Sequence, residues 1–290
     1  MNSIAMAVPR PVPHSMESKF IDVDGIRTHY LEGGTGPVLV LVHSGEFGGC
    51  AEFSWEYNFA HLSKGHRVVA PDWLGFGQTD KVYDFANAFD RRLRHMARFL
   101  EIMGVETPDI VGNSMGATFL LRDAASENPR LIPRSMVAIA GGGRIPDNDA
   151  RQALLNYDTT FESMRAVVSA LFHDPMWAAD DNYVARRRDE SLRPGAWECA
   201  EAARVRSPAS AERSVVGAPD LIQYEKITFP VLLITGVEDR LKEPGHGREL
   251  RDRMPNARLI EVDSAAHCPH IENPGLVNDA ISAFLAEVSS

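Results

Sequence analysis

Two short strand-like runs, residues 37–43 (PVLVLVH) and 231–235 (VLLIT), are apolar at every position but the last. Successive side chains of a strand point to opposite faces, so a continuously apolar strand must be buried on both sides. That is the condition of a parallel sheet sandwiched between helices. Strand-like segments also occur at residues 20–23, 26–31, 68–71, 109–112, 136–140 and 258–262. Asp24-Gly25 separates the first two, which is a two-residue hairpin signal. Between the strands lie helical stretches, such as residues 91–104, where Leu93, Met96, Ala97, Leu100 and Met103 fall on one stripe. The pattern predicts an α/β fold: a hairpin start, then a mostly parallel central sheet flanked by helices.

The alternation stops at residues 144–215. No strand-like run appears there, and helices are expected at 159–172, 178–192 and 196–205, punctuated by Pro175, Pro194-Gly195 and Pro208. An all-helical insertion between two strands is expected to form a lid over the C-terminal edge of the sheet, where open α/β sheets bind ligands. The expected organisation is therefore a leader at 1–18, a core made of 19–143 and 216–290, and a helical lid at 144–215. Residues 1–18 carry three prolines and no continuous apolar segment, and are expected to be disordered rather than to act as a secretory signal.

Charge narrows the partners. The chain has 40 Asp plus Glu against 30 Lys plus Arg, a formal net charge of −10, which argues against nucleic acid or an anionic membrane as a partner. No stretch reaches the roughly 18 uninterrupted apolar residues of a membrane span. Three cysteines, Cys50, Cys199 and Cys268, are too few and too scattered for a disulfide framework or a Cys-rich zinc site. A cytoplasmic protein is expected. No His, Asp and Glu set has metal-ligand spacing and no phosphate-binding glycine loop is present, so neither metal nor cofactor is expected.

The chemistry centres on Gly112-Asn113-Ser114-Met115-Gly116, a G-x-S-x-G string placed between a strand and the helical stretch 117–126. A turn this tight has no room for side chains beside the serine, and its strained backbone lifts the hydroxyl clear of the sheet. A serine hydroxyl near neutrality needs a base, and the base needs a carboxylate to orient it. Strand 231–235 leads to Glu238 and Asp239, of which Asp239 is the preferred orienter and Glu238 the alternative. Strand 258–262 leads to His267, with His270 as its local rival among ten histidines. His43 opens the loop 44–49, where the N–H of Gly45, with that of Met115, is the candidate oxyanion hole.

With these residues in place, residues 20–285 resemble the α/β-hydrolases. The resemblance rests on the His43 loop, Asp72-Trp73-Leu74-Gly75-Phe76-Gly77, the Ser114 turn, Asp239, and His267 followed by Glu272 and Pro274. The five-residue spacing from His267 to Glu272 favours His267 over His270. Within the superfamily the chain is most similar to the meta-cleavage-product hydrolases, which break a carbon–carbon bond in 2-hydroxy-6-oxo-dienoates. The shared features are the Ser114 turn, the stretch 243–250 and the lid stretch 185–191 around Arg186-Arg187-Arg188. The resemblance implies that Arg187 binds a substrate carboxylate, and it suggests a homodimer. Read from the residues alone, Arg187 is equally well explained as a helix charge paired with Asp189, Glu190 or another acid.

Three departures mark the pocket. Glu46-Phe47 stands where the family usually has a Gly-Pro-Gly type of loop, Cys268 replaces a common tryptophan, and Ala117 replaces a glycine. An ionised Glu46 aimed at an oxyanion would oppose catalysis, so it is expected to turn away, pair with an arginine, or contact substrate. Arg187, Asn113, Glu46, Phe47 and Cys268 are the expected substrate contacts. The expected function is a cofactor-independent serine hydrolase acting on a small molecule of the oxo-dienoate type. A carboxylesterase or lactonase with the same triad is the alternative, and a ligand receptor is a third reading. Epoxide hydrolases and haloalkane dehalogenases fit less well, because they place Asp where Ser114 stands.

Overall fold

The computed structural model describes residues 16–202 and 216–289. Eight strands form one sheet: β1 (Glu17–Val23), β2 (Ile26–Gly33), β3 (Val38–Val42), β4 (Arg67–Pro71), β5 (Asp109–Asn113), β6 (Ser135–Ile139), β7 (Val231–Gly236) and β8 (Ala257–Val262). Their order is β1-β2-β4-β3-β5-β6-β7-β8. β1–β2 and β2–β4 pair antiparallel, and every later pair is parallel. Asp24 and Gly25 take positive φ values of 52° and 86°, the left-handed pair that a tight hairpin needs.

The two-residue period of the strands sorts the core. Val40, Val42, Ile110, Ala138 and Leu233 face one cluster with Leu93, Met96, Phe99 and Leu100 of the helix Ala88–Ile102. Leu39, Leu41, Val111, Val137 and Leu232 face the other, with Trp55, Phe59 and the helix Pro274–Val288. Full burial of such side chains contributes about 1.5–3 kcal/mol each, so both faces hold the sheet rigid.

Between β6 and β7 the described chain carries helices Asp149–Leu155, Phe161–Leu171, Met176–Ala179, Asp181–Ser191 and Ala196–Ala202. They build a third apolar cluster, with Val167, Leu171, Phe172, Trp177 and Tyr183, that also takes in Phe47 and Cys268 from the sheet's loops.

Some expectations need correction. β1 starts at Glu17, so residues 17–18 belong to the sheet and not to a leader; residues 1–15 lie outside the described residues. The helix expected at 178–192 is two helices. Asp180 leaves the helical region (φ −83°, ψ 101°) and its carboxylate caps the second by accepting from the N–H groups of Asn182 and Tyr183. The helix Asp149–Leu155, capped by Asn148, was not expected, because its seven residues are too short to show a period. The expected ends of the last lid helix at 203–205, and of the lid itself at 203–215, lie outside the described residues.

Candidate active site

Ser114 follows the last residue of β5 and precedes the helix Met115–Ala124. Its φ of 50° with ψ −110° is a strained conformation for a residue with a side chain. The two glycines of the turn are sterically required. A Cβ on Gly112 would lie 2.8 Å from the Ala117 nitrogen, and one on Gly116 would lie 2.6 Å from the His43 carbonyl oxygen. The Ser114 N–H donates to the Ile139 carbonyl at 2.8 Å, which ties the turn to β6.

Asp239 and His267 come from the loops after β7 and β8. Those loops meet closely: a Cβ on Gly236 would fall 2.0 Å from the Ala266 carbonyl oxygen. The result is one hydrogen-bonded row. His267 Nε2 lies 2.7 Å from Ser114 Oγ, and His267 Nδ1 lies 2.8 Å from Asp239 Oδ2. With Nδ1–H donating to the carboxylate, Nε2 is left to accept from the hydroxyl. The side chains of His267 and Asp239 are 3% and 2% exposed. Burial alone would raise the Asp239 carboxyl, but His267, the Leu241 N–H and the Lys242 ammonium hold it below the ordinary range, so it stays ionised. His270 turns elsewhere, its ring 4.9 Å from that of Trp55. Glu238 has no side-chain part in the row.

Gly45 stands against Met115, since a Cβ there would meet Met115 Sδ at 2.3 Å. The Met115 N–H is in the first turn of its helix, where backbone donors have no intrahelical acceptor and the helix dipole favours negative charge. His43 braces the loop that carries Gly45. Its Nδ1 donates to the Ser44 carbonyl at 2.6 Å, and its Nε2 accepts from the Trp73 N–H at 2.9 Å. Burial lowers its pKa, consistent with this neutral, orienting role.

Glu46 and Arg187 meet in a buried ion pair, Nη1 to Oε1 2.8 Å, with side chains 4% and 1% exposed. Arg187 also donates through Nε to the Tyr183 hydroxyl at 3.0 Å. The arginine is therefore neither a surface charge nor a partner of Asp189 or Glu190. Asn113 is buried, its Nδ2 turned toward the carbonyls of Ile139 and His267 at 3.3 and 3.4 Å, while its Oδ1 has no partner among the described residues. Phe47 packs 4.6 Å from Tyr157, and Cys268 is buried with its thiol pKa pushed well up by burial, which makes it no nucleophile at neutral pH.

Several contacts that support the row have no clear signal in the sequence, although the spacing from His267 marks Glu272 itself. Glu272 accepts from the backbone N–H groups of Ala266 at 2.6 Å and His173 at 2.7 Å, clamping the His267 loop to the helical insert. The His267 N–H itself donates to the Leu171 carbonyl at 3.0 Å. Lys242 is buried, donates to the Gly142 carbonyl, and is pushed down to about 8 by burial. His246, beside it, is pushed down to about 4, chiefly by burial. Among the described residues no cluster of three His, Cys, Asp or Glu side chains could hold a metal ion. Among the same residues no helix is long and apolar enough to cross a membrane.

The sheet order, the strained serine turn and the Ser-His-Asp row define a hydrolase class, and the sequence agrees. It matches the alpha/beta hydrolase family over residues 39–280, and the chain belongs to that family. It is 28% identical over 267 residues to a 2-hydroxymuconate semialdehyde hydrolase of Pseudomonas sp. (strain CF600), covering 92% of this chain and 93% of that protein. It is 27% identical over 274 residues to a 2-hydroxy-6-oxo-6-(2'-aminophenyl)hexa-2,4-dienoic acid hydrolase of Metapseudomonas resinovorans, covering 92% and 90%. A solved serine hydrolase involved in carbazole degradation superposes with a TM-score of 0.77 at 26% identity, covering 94% and 99% of the two chains.

Proposed function

We propose that the protein is a cofactor-independent serine hydrolase in which Ser114 is the nucleophile, His267 the general base and acid, and Asp239 the group that orients and stabilises His267. The single observation that carries this reading is the 2.7 Å contact between His267 Nε2 and a serine hydroxyl on a strained turn. His267 takes the Ser114 proton as Oγ attacks a carbonyl carbon, and the oxyanion is held by the N–H groups of Gly45 and Met115. The bond from that carbon to the leaving group breaks, and His267 returns the proton to the leaving atom. Water, deprotonated by His267, then releases the acid. A water activated directly by His267 is the variant in which no covalent ester forms.

The names of the two relatives, one for a semialdehyde and one for a 2-hydroxy-6-oxo-dienoic acid, support a 2-hydroxy-6-oxo-dienoate as the substrate type, and the carbon–carbon bond beside its 6-oxo carbonyl is the first bond to test. In that case His267 also moves a proton during ketonisation of the dienol, and the resulting keto group takes up the electron pair of the carbon–carbon bond when that bond breaks. Ester or lactone hydrolysis is the second reading. It is favoured by the Glu46–Arg187 pair, in which the arginine already has a carboxylate partner. The helical insert serves as the lid. The support is its backbone contact with His267 and the bonds from Arg151 to the Leu241 carbonyl and from Asn148 to the Arg240 carbonyl.

Turnover of a coloured oxo-dienoate should be compared with that of p-nitrophenyl esters, using wild type and Ser114→Ala. The expected result is hydrolysis of at least one class, lost on the order of 10^6-fold in the variant. Near-normal rates in Ser114→Ala would contradict the mechanism.

A further inference from the structure

Glu46 is the residue after Gly45, on the loop that abuts Met115, and Cys268, the residue after His267, lies in the same packed cluster as Phe47 and as Tyr183, whose hydroxyl accepts from Arg187. The ion pair is therefore built into the wall beside the reacting row and not into a remote surface. The loop lies directly on the insert: Gly48, at φ 75°, could not carry a Cβ, which would fall 2.2 Å from the Arg187 carbonyl oxygen. Around the pair the wall is aromatic. The guanidinium carbon lies 5.2 Å from the Tyr183 ring centre, 5.7 Å from Phe172 and 6.0 Å from Phe53.

We infer that Glu46 acts as an internal carboxylate that fills the anion seat of Arg187, so the enzyme selects carbonyl substrates whose end at this wall is polar but uncharged. The inference rests on Ser114 being the nucleophile. Charge balance carries it. Glu46 and Arg187 together are neutral, and both are buried. A substrate carboxylate brought to the guanidinium would stand beside the Glu46 carboxylate and leave a net negative charge on a pair whose side chains are buried. Two like charges in such a place do not both stay ionised without cost. Relief by protonation of Glu46 would itself cost the ion pair with Arg187. Burial opposes its charge, but Arg187 and hydrogen bonds from Ser44 and Arg187 hold its carboxyl below the ordinary value. An amide, ester or lactone end meets no such penalty. Its carbonyl oxygen can accept from guanidinium N–H groups, and any N–H or O–H can donate to the carboxylate.

The test uses two alkyl fluorophosphonates of equal length, one ending in a carboxylate and one in a carboxamide. Modification of Ser114 forms the Oγ–P bond, breaks P–F and releases fluoride, with the serine proton passing to His267. Rates are followed by intact mass on the full chain, in wild type, Glu46→Gln and Ser114→Ala. Wild type is expected to react at least 30-fold faster with the carboxamide. In Glu46→Gln, which leaves Arg187 charged and unneutralised, that preference should fall at least tenfold. A wild-type rate that favours the carboxylate, or a preference unchanged in a folded Glu46→Gln, overturns the inference. If Glu46→Gln does not fold, the wild-type ratio alone decides. Failure of both probes to modify Ser114 would instead overturn the nucleophile assignment.

Discussion

The described residues contain two Ser-His-Asp rows. In one, Ser114 Oγ lies 2.7 Å from His267 Nε2, and His267 Nδ1 lies 2.8 Å from Asp239. In the other, Ser18 Oγ lies 2.9 Å from His29 Nε2, and His29 Nδ1 lies 2.7 Å from Asp72 Oδ2. Residue types and distances barely distinguish them. Backbone does. Ser114 sits at φ 50° at the start of a helix, beside the Gly45 loop and under the helical insert. Ser18 sits in β1, an edge strand, exposed and in regular pairing with β2. Asp72 is also occupied by structural work: it accepts from the Ala51 and Gln78 N–H groups, both at 2.8 Å, and fixes the turn that follows β4. A Cβ on Gly77 would fall 2.0 Å from its Oδ2, so the chain is wrapped tightly around this carboxylate. Three side chains in line make a hydrogen-bonded clamp; an oxyanion site and a strained nucleophile make a catalytic one.

The two rows can be separated by paired substitutions. Asp239→Asn should lower turnover about 10^4-fold, because the amide cannot hold His267 in the tautomer that accepts from Ser114. Asp72→Asn should leave turnover within a few-fold of wild type and instead cost about 1–3 kcal/mol of stability, measured by urea unfolding, as one backbone N–H or the His29 N–H loses its acceptor. Equal losses of turnover from the two variants would erase the distinction.

A smaller effect is expected with pH. Burial would raise the Asp72 carboxyl, but His29, His43 and the Ala51 N–H hold it below its ordinary value of 3.8. A carboxyl whose folded pKa is depressed contributes stability above its unfolded pKa and loses it as pH falls through the folded value. Wild type should therefore lose stability below pH 3.8 more steeply than Asp72→Asn, by up to about 1.4 kcal/mol per pH unit for this one group. Parallel curves in an unfolding series run downward from pH 5 would remove Asp72 from that account.

The sheet was legible because its strands are buried on both faces, and continuous apolar runs such as 37–42 have few other folded uses. All eight strands fall within three residues of their expected bounds. The serine turn was legible for a similar reason, since two positions without room for a Cβ leave glycines at fixed offsets. The loops that carry Asp239 and His267 could be located because each directly follows a strand. The short helix Asp149–Leu155 and the break at Asp180 were not legible, because both are set by single caps and by packing against the core. The partner of Arg187 could not be chosen either. Asp189 and Glu190 are close in sequence, whereas Glu46 is 141 positions away and reaches Arg187 only because the insert folds back over the Gly45 loop. The spacing from His267 marks Glu272, but the clamp it makes is invisible for another reason: its donors belong to the backbone, which carries no letter in the sequence.

The central claim, that Ser114 is activated by His267 while Ser18 is only a structural neighbour of His29, is tested most directly by mapping where a simple alkyl fluorophosphonate attaches, in wild type and in His267→Ala. The expected adduct is on Ser114 and absent from Ser18, with its rate of formation falling about 10^3-fold in His267→Ala. An adduct on Ser18, or a Ser114 rate indifferent to the loss of the imidazole, would contradict it.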